Sequence, residues 1–278
     1  MSTSSARSRL APWAFLAPFL IVFGVFTCYP LIQSLVLATH QTYGPEHSRF
    51  IGTAALRAML VDPLFWTALR NTFVFTLGSV FIQLPISLAL ALLIERRGMP
   101  FRAFWRLTLF SPALVGVVFA AMIFGIVFEK RTGMLNVILH SASFGVWDLD
   151  FAWLQQYVMA ALIVAALWMY VGFNMIYFIA ALQNVRQDLV EASIVDGAGP
   201  VARFVHVTVP AIRPVAGFVV LTSVIGSFQL FELPYLMLNQ TAGPDNRGLT
   251  VVMYLYQTGF EVGDLGYASA IGWGLAII

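Results

Sequence analysis

Long uncharged stretches dominate this chain. Residues 11–38, 72–94, 107–128 and 158–182 contain no Asp, Glu, Lys or Arg, residues 215–238 contain only Glu232, and residues 266–278 contain none. A helix needs about 20 apolar residues to cross a hydrocarbon core of about 30 Å. Within that core every backbone N–H and C=O must be satisfied internally, so the stretches read as transmembrane helices. The last has room for only about 20 Å of helix at about 1.5 Å per residue. The expectation is therefore an all-α, six-span membrane protein whose final span is truncated. With 60% hydrophobic and only 10% charged residues, the composition excludes an ordinary water-soluble domain, which carries about 25% charged residues. A net charge of +2, scattered along the chain, gives no footprint for nucleic acid. Cys28 is the single cysteine, so no intrachain disulfide forms, and its apolar surroundings suit a small buried hydrophobe.

Arg7 and Arg9 precede the first stretch, which is too long for a signal-peptide core of about 7–15 residues. An uncleaved first span with an inner N-terminus follows. In that orientation nine Arg fall on inner segments and six Lys or Arg on outer ones, in line with the positive-inside rule. Arg96, Arg97, Arg102 and Arg106 form the most compact inner cluster. Pro18, Pro30, Pro85 and Pro112 fall inside predicted spans; such prolines are tolerated where neighbouring groups re-satisfy the freed carbonyls. The outer segment 41–70 reads as one or two short interfacial helices around 53–60 and 64–66. The whole chain reads as a single domain, residues 1–278.

One dense polar patch interrupts the apolar pattern, between Asp188 and Pro214. Asp188 is placed to cap a short helix, with Glu191 three residues on completing a capping box. The run Asp196-Gly197-Ala198-Gly199 breaks that helix, because glycine accepts the positive φ of a sharp reversal. Pro200 suits the first turn of a second helix, expected to stop before Pro210. Two short helices at an angle make a rigid knob; the plainer reading is a solvated connection between spans.

The string Glu191-Ala192-Ser193-x-x-Asp196-Gly197-Ala198, with Phe204, Pro210 and Pro214 downstream, resembles the EAA loop of the carbohydrate-uptake, maltose-type ABC importer permeases. Weaker matches extend along the chain: Asn71-Thr72, Arg106 with Pro112, Gly133 to Asn136, Trp168 with Gly172-Phe173-Asn174, Ala242-Gly243-Pro244, Tyr254 with Tyr256 and Phe260, and Gly266 to Ala270. Ser193 stands where the family usually has a second alanine. The resemblance implies a type I ABC importer transmembrane domain with a cytoplasmic coupling loop over 184–214. Its contacts to the ATPase would be Asp188, Glu191, Ala192, Ser193, Asp196, Gly197, Ala198 and Phe204. It further implies a second permease subunit, an ATPase dimer carrying ATP and Mg, an extracellular or periplasmic binding protein, and a carbohydrate substrate. No Gly-x-x-x-x-Gly-Lys-Ser/Thr string occurs, so no cofactor is expected in this chain itself.

For a substrate, Glu232 is the informative residue, because charge at membrane depth is costly unless it faces a cavity or partner. Gln229 lies three residues earlier, expected on the same helix face, with Phe228, Phe231 and Tyr235 nearby and a kink at Pro234. Tyr170 and Asn174, four apart, share a face of the fourth span. Amide and carboxylate groups beside aromatic rings suit a sugar, with its hydroxyls and apolar C–H faces. The plainer reading is local pairing with neighbouring helices. His206 has no partner at ligand spacing, so no metal site is expected, and nothing resembles a nucleophile with a base. The alternative function is a secondary transporter or channel, which usually needs inverted repeats or intramembrane ionisable groups; only Glu232 offers such a group.

Overall fold

A computed structural model describes residues 4–43, 47–96 and 98–277. The chain divides into two compact units, residues 1–65 with 254–278, and residues 66–253.

In the first unit, helix α1 comprises Ser4–Phe23, a wide turn Gly24–Cys28 and Tyr29–Leu37. The antiparallel hairpin β1 (His40–Tyr43) and β2 (His47–Phe50) follows, with His40 opposite Phe50. Helix α2 (Ala54–Val61) comes next. The predicted interfacial helix at 53–60 is thus present, whereas residues 64–66 form the first turn of the long helix α3 (Pro63–Glu95). The hairpin occupies chain that was expected to be loop.

Helices also make up most of the second unit. The third predicted span, 107–128, is not one rod. Helices α4 (Arg102–Leu114) and α5 (Val117–Val127) meet at a bend of 94°, where Val115 and Gly116 are extended (ψ 124° and 148°). The missing Pro112 N–H frees the Thr108 carbonyl upstream, which accepts from the Ser111 hydroxyl at 2.9 Å. Short helices α6 (Met134–Ala142) and α7 (Trp153–Gln156) lead to α8 (Val158–Gln183), the central helix of the unit. Then come α9 (Gln187–Val195), α10 (Pro200–Phe228) and α11 (Glu232–Met237). The helix opened by Pro200 does not stop before Pro210; it runs on into the fifth span, and it ends at Phe228 rather than 238. The chain re-enters the first unit midway along α12 (Val251–Tyr256), at Tyr254, and its last described helix is α13 (Leu265–Ile277). Among the described residues four helices are long and apolar enough to cross a membrane, five when α4 and α5 count as one broken span, with α13 shorter.

Two of the four prolines inside predicted spans, Pro30 and Pro85, share a device with Pro210. Wide π turns at Gly24–Cys28, Ser79–Gln83 and Phe204–Thr208 each end two residues before a proline: Pro30, Pro85 and Pro210. A proline ring collides with the carbonyl four residues back, and its missing N–H leaves that carbonyl unpaired. Widening the turn relieves the collision: the N–H of Tyr29, Leu84 and Val209 reaches back five residues to Gly24, Ser79 and Phe204. These three helices continue through their prolines.

Helix α8 carries the core of the second unit. Ala161, Leu162, Ala165 and Met169 pack with Phe75, Ala120, Phe124, Leu233 and Met237, and further along Met175, Phe178 and Ile179 pack with Leu84, Ile94 and Val219. At Gly172 the Leu109 carbonyl lies so close that a Cβ would overlap it, so glycine sets the approach of α4 to α8. In the first unit Gly266 plays the same part against the carbonyls of His40 and Leu37.

Candidate functional site

A cavity of about 460 Å³ opens among α3, α8, α10 and the α10–α11 break. Its wall is built from three sources. The π turn of α3 supplies Ser79 and Gln83, both buried, and α8 supplies Tyr170, Phe173 and Asn174. The end of α10 and the break supply Ser223, Gly226, Ser227, Gln229, Phe231 and Glu232.

Four of the six residues expected on a substrate pathway therefore meet here: Tyr170, Asn174, Gln229 and Glu232. The route by which Gln229 and Glu232 come together differs from the expected one. They do not share a helix face, because Gln229 is the residue that caps α10 and Phe231 (φ −139°, ψ −59°) turns the chain before Glu232 opens α11. Nor does Pro234 make a kink; it sits in the first turn of α11, where a proline costs no hydrogen bond. The break is held by Thr250, whose hydroxyl donates to the Leu230 carbonyl at 2.6 Å. Phe228 and Tyr235 stand outside the wall; Tyr235 stacks on Phe231 with ring centroids 5.0 Å apart.

Sequence reading missed the α3 and α10 contributions. Ser79 and Ser223 bridge α3 to α10 with their hydroxyls 2.9 Å apart, and Ser227 donates to the Ser223 carbonyl at 2.8 Å. Gln83, a large amide in an otherwise apolar span and two residues before Pro85, was the available signal. The wall therefore offers amides, hydroxyls and aromatic rings, with Gln229 and Glu232 exposed at its edge. Such groups form directional hydrogen bonds to a polyol, and the rings cover its C–H faces.

The polar loop is the second candidate. α9 spans Gln187–Val195, with Arg186 and not Asp188 as its capping residue. Asp188 lies inside the first turn and pairs with Arg186, which holds its carboxyl below the usual range. The expected capping box is absent for that reason. Its negative charge still favours the helix N-terminus. At the other end Gly197 has φ +77°, and the N–H groups of Gly197 and Ala198 return to the carbonyls of Ile194 and Ser193 at 3.0 and 2.9 Å. That is a glycine-capped helix end followed by Pro200 at the start of α10. Glu191, Ala192, Asp196 and Gly197 are exposed, while Ser193, Ala198 and Phe204 are partly covered; the Ser193 hydroxyl donates to the Val190 carbonyl at 2.7 Å. Exposed Leu189, Ile194, Val195 and Val201 stand beside these polar groups.

Other motif residues hold the fold. Asn71 donates to the carbonyls of Asn246 and Leu249 at 2.9 and 3.0 Å, and the Thr72 hydroxyl accepts from the Val251 N–H at 3.1 Å. Asn136, wholly buried, donates to the carbonyls of Lys130, Leu149 and Phe151 and accepts from the Trp153 indole. In the first unit Asp62 accepts from the Tyr254 and Tyr267 hydroxyls at 2.5 and 2.7 Å. Partial burial works to raise the Asp62 carboxyl, but these bonds and the Leu64 and Phe65 N–H groups hold it below its ordinary value. Among the described residues no group of His, Cys, Asp and Glu is arranged to hold a metal ion.

The comparisons agree with this architecture. The chain is 37% identical to the arabinooligosaccharides transport system permease protein AraP of Bacillus subtilis, over 97% of this chain and 85% of that protein. It is 31% identical to the lactose transport system permease protein LacF of Rhizobium radiobacter, over 96% and 89%. A chain of the bacterial alginate ABC transporter, crystallised with an alginate pentasaccharide-bound periplasmic protein, superposes with a TM-score of 0.85 at 21% identity, covering 98% of this chain and 91% of that one. The family described as binding-protein-dependent transport system inner membrane component matches residues 8–278, and this chain belongs to it.

Proposed function

We propose that this chain is a permease subunit through which an ATP-driven importer moves a carbohydrate across the bacterial cytoplasmic membrane by alternating access. The observation that carries the reading is the cavity itself: Gln83, Asn174, Gln229, Glu232 and Tyr170 surround a space of about 460 Å³ beside Phe75, Phe173 and Phe231. A volume of that order suits a small organic ligand. Relatives named for arabinooligosaccharide and lactose transport support a saccharide.

The remaining parts follow from the same reading. ATP and Mg belong to a separate ATPase dimer, which grips α9 and the start of α10 through Glu191, Ala192, Ser193, Asp196, Gly197, Ala198 and Phe204, while Asp188 and Arg186 fix the helix entry. A second permease subunit completes the pathway, and an extracellular or periplasmic binding protein delivers the sugar. The N-terminus and the 184–214 loop lie on the cytoplasmic side, and lipid covers the outward apolar faces. The test is reconstitution in vesicles with partner permease, ATPase and binding protein. Gln229→Ala and Asn174→Ala should each raise the substrate concentration needed for half-maximal uptake by about 2- to 10-fold, the cost of one hydrogen bond, with assembly intact. Unchanged substrate dependence and unchanged ATP-to-sugar stoichiometry in both variants would place the pathway elsewhere.

A further inference from the structure

The charges of the cavity are as informative as its polar groups. Of the described residues in its wall, Glu232 is the only ionisable acid, and no Lys, Arg or His stands beside it. The other polar groups there are neutral: Ser79, Gln83, Asn174, Ser223, Ser227 and Gln229 among them. Within the described residues no salt bridge engages Glu232, and its side chain is exposed at the cavity edge. The other titratable group among the described wall residues is Tyr170.

We infer that Glu232 is a charge filter: the cavity admits neutral or cationic saccharides and rejects those bearing a carboxylate, sulfonate or phosphate. The inference rests on the cavity being the sugar pathway. An anionic ligand brought against this chain's wall meets the Glu232 carboxylate and, among the described lining residues, no cation. Two like charges about 6 Å apart, in a partly wet site of effective dielectric about 20 to 40, disfavour entry by roughly ten- to a hundredfold. A neutral sugar meets only hydrogen-bonding groups, and the carboxylate then serves as a strong acceptor for its hydroxyls. Selection against a wrong ligand by an uncompensated charge is a common route to specificity.

Two measurements on the assembled complex in vesicles test this. In the first, Gly226→Cys is placed in a Cys28→Ala background, because Gly226 lines the cavity and a Cβ there meets open space. Its reaction rates with trimethylammonioethyl and sulfonatoethyl methanethiosulfonate are compared after normalising to the rates with 2-mercaptoethanol. The cationic reagent should be favoured by roughly tenfold or more, and Glu232→Gln should bring the normalised ratio close to one. No cationic preference, or a preference that survives Glu232→Gln, overturns the filter whatever the complex transports. In the second, uptake of the transported neutral sugar is compared with uptake of its aldonate, each corrected for measured affinity to the binding protein. Glu232→Gln should shift the ratio toward the aldonate by about tenfold and Glu232→Lys further; an unchanged ratio with sugar uptake retained overturns the filter. Failure to transport any carbohydrate, with the reagent preference intact, removes the sugar reading and leaves the charge selectivity of the cavity standing.

Discussion

Gly197 offers the sharpest test of the coupling loop, because its two neighbouring glycines sit in different backbone regions. Gly197 has φ +77° and Gly199 has φ −66°, and a Cβ added at either meets nothing within 4 Å. Any penalty at Gly197 is therefore backbone strain rather than collision. The left-handed conformation costs an ordinary L-residue about 1–2 kcal/mol, and asparagine less; β-branched residues fare worst there. α9 is nine residues long and buries none of them, so it has little tertiary packing to offset a lost cap, and isolated helices of that length are marginal. A loss of about 1–2 kcal/mol lowers the population of the formed turn about 5- to 30-fold. In reconstituted vesicles the ATP hydrolysed per sugar imported should rise in the order Gly197→Asn, Gly197→Ala, Gly197→Val. Gly199→Ser, at a position where serine is a good helix cap, should leave coupling near wild type. Span insertion, followed by protein yield and partner-permease co-purification, should not change. If Gly197→Val coupled as well as Gly197→Asn, or Gly199→Ser were as damaging as Gly197→Val, the backbone argument would be refuted.

Three further outcomes are expected. Asn136→Ala removes donors to three carbonyls and the acceptor of the Trp153 indole inside a fully buried site, so thermal unfolding in detergent should show a loss of about 2–4 kcal/mol; a change under about 0.5 kcal/mol would remove its structural role. Asp62 has a folded pKa below its unfolded one, so the stability it contributes is present above the unfolded value and lost as pH falls through the folded value. Thermal stability should hold from neutral pH down to about pH 5 and drop only in stronger acid, and Asp62→Asn should lower the neutral-pH stability and blunt that drop; a titration near neutral pH would contradict the assignment. For orientation, single cysteines at Ala202 and Val146, both exposed, in a Cys28→Ala background should label from opposite sides of the membrane. Thr250 is a poor probe for the outer side because it is wholly buried and bonded to the Leu230 carbonyl.

What the sequence made legible was whatever depends on composition and on single-residue backbone chemistry. Uncharged length found the helices, since lipid leaves no alternative for the backbone. Gly197 and Pro200 located the turn before α10, because only positive φ and a missing N–H were at stake. Helix ends were less legible. Pro210 reads locally as a terminator, yet α10 passes it through the π turn Phe204–Thr208, and the same solution carries α1 past Pro30 and α3 past Pro85. A wider turn lets the freed groups find partners five residues away, a choice that no short window of sequence displays. Conversely, α10 stops at Phe228 with no proline or glycine directly after it, and Thr250, distant in sequence, donates its hydroxyl to the Leu230 carbonyl just beyond that end.

The site shows the same division. Glu232 and Gln229 were found for a sound reason, the cost of polar groups in an apolar run, but by the wrong geometry, since a helix break and not a helix face presents them. Ser79, Ser223 and Ser227 were invisible because small hydroxyls cross membranes at little cost by bonding to their own helix, as Ser227 does to the Ser223 carbonyl. Only their convergence across α3 and α10, with the Ser79 and Ser223 hydroxyls 2.9 Å apart, gives them a shared role. Asn71, Thr72 and Asn136 carry the opposite lesson. They belong to the family-like pattern, yet they spend their hydrogen bonds inside the fold: Asn71 and Thr72 on backbone groups of a distant segment, Asn136 on nearby carbonyls and the Trp153 indole. An amide whose bonds are all spent within the fold holds that fold; Asn174 instead faces a cavity beside Phe173 and Tyr170. That distinction, rather than polarity itself, separates the residues that build this chain from those that line its cavity.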